Sequence, residues 1–280
     1  MFTKIQNSWT LIKASAAVLR ADKELIVFPL VSAIGVLVVT ASFALPTILA
    51  GFLDALLEGH AQIFGFVVGF LFYIVQYTVI IFANSALVGA AMIRLRRGDP
   101  TVGDGFRVAM KHIGAILGYA LISATVGMIL RWLSERGKTL GRITSSIVGL
   151  AWNLATYLVV PVLIVEGVGP VEAIKRSANL LKKTWGEQIV GNFSIGLVFV
   201  LLAVLLIILG IPIFILVAST HSPVLVALTA LLFVLMFVFM GLVGSTLNGV
   251  YVAAVYRYAA EGEASGFFSE EMVREAFRPK

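Results

Sequence analysis

The chain has 280 residues, of which 60% are hydrophobic and only 13% charged, with a net charge of +6 and a mean hydropathy of +1.01. An ordinary soluble domain is about 45–50% apolar and about 25% charged, so this composition excludes a separate soluble domain and implies one membrane-embedded unit spanning residues 1–280. No cysteine is present, which excludes disulfides, thiolate nucleophiles and cysteine metal sites.

Residues 2–20 place Phe2, Ile5, Trp9, Ile12, Ala16 and Leu19 on one helical face, which reads as a helix lying in the membrane interface. Met1–Glu24 is polar and periodic, without the apolar core and cleavage site of a signal peptide. Six uncharged runs follow: Leu25–Leu53, Ala61–Ile93, Ile113–Leu130, Ile143–Val165, Gln188–Thr220 and Ser222–Tyr256. A helix needs about 20 residues to cross roughly 30 Å of hydrocarbon. The runs therefore predict an all-α transmembrane bundle with spans at about 25–53, 61–93, 113–133, 143–165, 188–220 and 222–256. Pro29, Pro46, Pro161 and Pro212 fall inside these spans, where neighbouring groups must satisfy the carbonyls they free. Gly65-x-x-x-Gly69 and Gly114-x-x-x-Gly118 suit close helix approach.

Further interfacial helices are predicted at about 101–111, 170–185 and 269–278. In the second of these Val171, Ile174, Ala178, Leu181 and Trp185 share a face, with Glu172, Lys175, Arg176, Asn179, Lys182 and Lys183 on the remainder. Pro170 suits its first turn. In the tail Ser269 can cap a helix, with Phe268 and Val273 spaced as a staple. Most of the 21 Lys and Arg residues lie in the N-terminal segment, the segments after spans two and four, and the tail. That side is expected to be cytoplasmic, with both termini on it, in a cell (inner) membrane. Arg131, Arg136, Lys138 and Arg142, between spans three and four, depart from the pattern. Because the cations sit beside apolar runs, the expected partner is membrane lipid and not nucleic acid.

Internal similarity suggests three units, each an interfacial helix followed by a two-span hairpin. Ile12-Lys13-x-Ser15-Ala16-x-x-Leu19 matches Ile174-Lys175-x-Ser177-Ala178-x-x-Leu181, and Phe106-Arg107-Val108-Ala109 is a weaker third copy. Asn84, Asn153 and Asn248 each precede a glycine (Gly98, Gly167, Gly262) by 14 residues, in a chain with six asparagines. Spans two and six share Ala90-Ala91-x-x-Arg94 and Ala253-Ala254-x-x-Arg257. Two spans per unit make the repeats parallel about an axis along the membrane normal.

Ionisable groups within spans usually mark function, and the uncharged runs contain none. His60, His112 and His221 have no metal-ligand spacing, and no phosphate loop or nucleophile motif occurs. No catalytic residue, metal or cofactor is therefore expected, and an enzyme ranks last among the functional classes. The outstanding polar feature is the asparagine trio, about 21 Å along a helix from its glycines and so near mid-depth. Gln76, Tyr77, Thr156, Tyr157 and Thr246 are polar groups nearby. Two readings compete: a central polar cavity for a solute or lipid head, and interhelical hydrogen bonding that only holds the bundle together. Lys13, Arg107, Lys175, Arg176, Lys182 and Lys183 are candidate contacts for anionic lipid, with simple anchoring as the alternative.

The stretch Val160-Pro161-Val162-Leu163-Ile164-Val165-Glu166-Gly167, then Pro170-x-Glu172-Ala173-Ile174-x-Arg176-Ser177, through Leu181 and Trp185-Gly186, resembles a prokaryotic family of six-span membrane proteins of unknown function. More loosely it is similar to the membrane domain of glycerophosphodiester phosphodiesterases, whose catalytic barrel has no counterpart here. The resemblance implies a prokaryotic inner membrane and no transferable activity or site residues. The leading expectation is a non-enzymatic protein handling lipid or another amphiphile. The alternatives are a channel or passive permease, and a scaffold or accessory subunit working with copies of itself or with a membrane partner protein.

Overall fold

The computed structural model describes residues 2–49, 62–136, 139–185, 194–262 and 266–268. Among them every regular element is helical: α1 (Phe2–Ala21), a 3-10 turn (Lys23–Ile26), α2 (Val27–Leu49), α3 (Gln62–Leu95), α4 (Val102–Lys111), α5 (Ile113–Arg136), α6 (Thr139–Ala155), α7 (Val159–Val165), α8 (Pro170–Trp185), α9 (Ser194–Ala218) and α10 (Pro223–Glu261). Six stretches are long and apolar enough to cross a membrane: Lys23–Ile48, Gly65–Leu95, Ile113–Glu135, Gly141–Val165, Val198–Ala218 and Pro223–Glu261. This is a multi-pass helical membrane protein. The expected tail helix 269–278, residues 50–53 of the first span and 188–193 of the fifth lie outside the described residues.

Consecutive spans pair as hairpins: α2 with α3, α5 with α6, and α9 with α10. The last portions of α3 and α10, together with α7, pack on one another. Ala86–Ala91, Leu158–Ile164 and Leu247 with Gly249–Tyr256 are buried there, forming the core. Gly249 is the crossing point of α10 on α3, since a β-carbon there would lie 2.4 Å from Leu87. Away from this end the hairpins keep apolar side chains outward, among them Leu37, Ile147, Leu216 and Phe239, as a surface solvated by acyl chains requires.

The short helices α1, α4 and α8 link the hairpins and cover the core end. Each packs on the hairpin preceding it in cyclic order: α4 on α3 and the start of α2, α8 on α5, α6 and α7, and α1 on α9 and α10. The sequence of α4 shows how such a helix is seated. Thr101 and Asp104 form a reciprocal capping box, and the Val102 N–H donates to Glu24 across the segment boundary at 3.2 Å. Phe106 lies edge-on to Phe28 at 5.2 Å and stacks on Phe82 at 6.0 Å. Gly105 meets α3 so closely that a β-carbon would lie 2.7 Å from the Ala86 carbonyl oxygen.

The fourth span is broken. Pro161 has no N–H, and its ring crowds the carbonyl four residues earlier, so the preceding turn tightens: Tyr157 N–H bonds Leu154 O at 3.2 Å and Val159 N–H bonds Thr156 O at 3.1 Å. This leaves the Leu158 N–H without its helical acceptor. Ser177 Oγ, from α8, accepts it at 3.0 Å in a fully buried position. That contact rotates the inward face of α8 relative to expectation. Ala173, Ser177, Leu180 and Leu181 are buried, Ile174 and Ala178 are half-buried, and Val171 is exposed. In α1 Ile12 is buried as expected, but Ser15 and Val18 are buried too while Ala16 and Leu19 stay half-buried.

The repeated glycines terminate helices. Gly167 (φ 66°) and Gly262 (φ 71°) adopt the left-handed conformation that glycine enters without penalty. After α3 that conformation falls one residue earlier, on Arg97 (φ 67°), and the Gly98 N–H closes back on Ile93 O at 2.9 Å. Ion pairs lock the same end. Arg94 grips Asp22, which is buried, and reaches Asp99 at 2.6 Å. Arg257 donates to the Leu95 carbonyl, and Glu166 receives Arg176 at 3.2 Å and the Tyr256 hydroxyl at 3.1 Å.

Candidate functional site: two polar clefts between the hairpins

Beyond the packed core the hairpins diverge, and two clefts lie between them at span depth. The first, about 180 Å³, separates the α2–α3 hairpin from α10. Phe28, Pro29, Ser32, Ile80, Ala83, Asn84 and Leu87 line one wall, and Ser245 and Asn248 the other. The second, about 290 Å³, lies between α3 and the α5–α6 hairpin, lined by Tyr77, Tyr119, Ser123, Asn153 and Thr156 together with Trp152 and Leu130. Ile80 lines both clefts, so they adjoin along that one side chain.

The structure thus brings Asn84 and Asn248 together and sets Asn153 with Thr156 in the neighbouring cleft. Gln76 lines neither, and its Oε1 is buried with no hydrogen-bond partner among the described residues. All three asparagines are exposed on the cleft walls. Asn84 and Asn248 point out of helices whose flanking residues Ala83, Ser85, Leu247 and Gly249 are buried, and Asn153 stands five residues before the buried segment that begins at Leu158.

Tyr119 and Ser123 were not legible as site residues. They are spaced i, i+4 on α5 and join Thr156 in this cleft only because α5 packs on α6; the Ser123 Oγ is buried there with no hydrogen-bond partner among the described residues. The available signal was that spacing, on the same helix face within an uncharged run. Gly127 and Gly149 open the same cleft: a β-carbon at Gly127 would stand 3.2 Å from the Tyr77 hydroxyl.

No charged side chain lines either cleft. The nearest charge along α5, Arg131, is committed elsewhere, to Glu135 at 2.7 Å and to the Tyr73 hydroxyl at 2.8 Å. Among the described residues no three His, Asp or Glu side chains are grouped as a metal site would need.

The basic candidates lie on the linker helices, apart from the clefts. Lys13, Lys175 and Lys182 are exposed, the last two seven residues apart and so on one side of α8. Arg107 is exposed and pairs with Asp104 at 2.7 Å, while Arg176 is turned toward Glu166. The Lys183 side chain lies outside the described residues.

No curated protein matches the chain. Residues 63–267, from the start of the second span to beyond the end of the sixth, match a family of unknown function, DUF6159, and the chain belongs to that family.

Proposed function

We propose that this protein is a non-enzymatic lipid-handling protein of the cell (inner) membrane that holds an amphiphile between its hairpins. The observation carrying this reading is the pair of uncharged polar clefts at span depth, walled by asparagine amides that make no hydrogen bond among the described residues. An unsatisfied amide facing hydrocarbon costs several kcal/mol, so these walls call for an occupant that can hydrogen-bond while its remainder stays in the acyl region. In this reading both termini face the cytoplasm, where Lys13, Lys175 and Lys182 meet anionic headgroups.

The cyclic seating of α1, α4 and α8 supports a three-unit origin. Ser15, Ala109 and Ser177 are aligned in the repeated motifs, and each is fully buried. We take the chain as three copies of a linker helix plus hairpin, each linker closing the hairpin before it. A passive permease is a weaker reading, because Ile80 stands between the two clefts.

Photoactivatable lipid in proteoliposomes tests the proposal. Label should concentrate on cleft peptides of α3, α5, α6 and α10 and be displaced by unlabelled lipid. Uniform labelling that excess lipid does not displace refutes it.

A further inference from the structure

The polar groups of the larger cleft are all neutral, and that fact bears on what kind of head it accepts. Resting on the lipid-handling reading, we propose that the cleft between α3, α5 and α6 selects an amphiphile with an uncharged, hydroxyl-bearing head, and discriminates against the same chains carrying a phosphate.

The argument begins with charge. Taking an anion out of water without a counter-charge costs several kcal/mol even after relaxation. The lining offers no Lys, Arg or His, and Arg131, beyond its rim, is already paired with Glu135 and Tyr73. Hydrogen-bonding capacity gives the second step. Tyr, Ser and Thr hydroxyls each donate and accept, and an asparagine amide does both. A phosphate or carboxylate uses donors alone and would leave the acceptors of this set idle. A hydroxyl, itself donor and acceptor, matches Tyr77, Ser123 and Asn153 in either sense and can donate to Thr156, whose own proton goes to the Trp152 carbonyl at 2.8 Å. Shape supplies the third. At about 290 Å³ the cleft sits at the small end of ligand pockets, roughly 300–1,000 Å³. That suits a compact head, with Trp152 and Leu130 against the first carbons of its chains.

The test uses the full chain in nanodiscs of phosphatidylcholine, with photoactivatable diacylglycerol as probe. Unlabelled diacylglycerol and phosphatidic acid of identical chains serve as competitors. Diacylglycerol should displace the α5–α6 label at least tenfold more effectively than phosphatidic acid. Thr156→Val, nearly isosteric, and Asn153→Leu, at an exposed position, should each weaken diacylglycerol displacement about fivefold or more while labelling of the α3–α10 cleft persists. Either variant suffices should the other fail to fold. Equal or better displacement by phosphatidic acid overturns the inference and leaves the lipid reading standing, as does displaceable label indifferent to both substitutions. Absence of displaceable label at every cleft removes both.

Discussion

Removing the Ser177 hydroxyl isolates one buried hydrogen bond. The Leu158 N–H has lost its helical acceptor to the break ahead of Pro161, and Ser177 Oγ accepts it at 3.0 Å with both residues fully buried. Ser177→Ala leaves a backbone donor that neither water nor protein can reach. An orphaned buried donor costs about 1–3 kcal/mol, which lowers the folding equilibrium roughly 5- to 150-fold. Ser15 supplies the control. It holds the matching position in the repeated motif and is equally buried, yet its Oγ has no hydrogen-bond partner among the described residues. Ser15→Ala should therefore be neutral or stabilising. The assay is reversible unfolding in mixed detergent–SDS micelles. A further arm uses Pro161→Ala, which lets the span straighten and return Leu158 to a helical acceptor, so Ser177→Ala should cost at least about 0.5 kcal/mol less in that background. Equal effects of the two serine substitutions, or strict additivity with Pro161→Ala, would refute this account of the break.

Gly105→Ala should destabilise the fold by about 1–3 kcal/mol, because the new methyl meets the Ala86 backbone oxygen, which has no rotamer with which to yield. Gly114→Ala, with nothing within 4 Å, should not, and thermal melts in detergent compare the two. The Asp104 carboxyl is held below its usual 3.8 by the Thr101 hydroxyl, the Thr101 backbone N–H and the Arg107 guanidinium. A depressed folded-state value means the capping contribution is fully present above pH 3.8 and is lost as pH falls through the folded midpoint. Thr101→Val should move that midpoint back upward, as followed by the carboxyl carbon resonance.

The six spans were legible because uncharged length alone selects membrane over water, and the hairpin pairing followed from short connections. Gly167 and Gly262 were visible at a shared spacing from Asn153 and Asn248, and both take the left-handed conformation that ends a helix; the one-residue offset to Arg97 was not visible, since Gly98 closes the helix through its N–H instead. Pro161 was visible as a proline in a span. Its consequence was hidden, because the group that compensates lies 16 residues on, in another helix. The same contact turned Ser177 inward and displaced the buried face of α8 from the purely apolar stripe, which hydrophobic periodicity could not register. Tyr119 and Ser123 escaped notice for a related reason: one helix's pattern does not say which neighbour it will face.

The asparagine trio decides between adhesive and occupied space. Amides that hold helices together contribute about 0.6–2 kcal/mol per contact, so Asn84→Leu, Asn153→Leu and Asn248→Leu together would then destabilise the bundle by roughly 2–6 kcal/mol. The geometry argues otherwise, because all three side chains lie exposed on cleft walls and bond to no described residue. The leucines would put apolar surface where the bilayer prefers it. The triple variant should unfold at the same SDS fraction as the parent or a higher one, while displaceable lipid label in the clefts falls about tenfold or more. Destabilisation with undiminished label would make the amides structural and leave the clefts without a ligand-holding role.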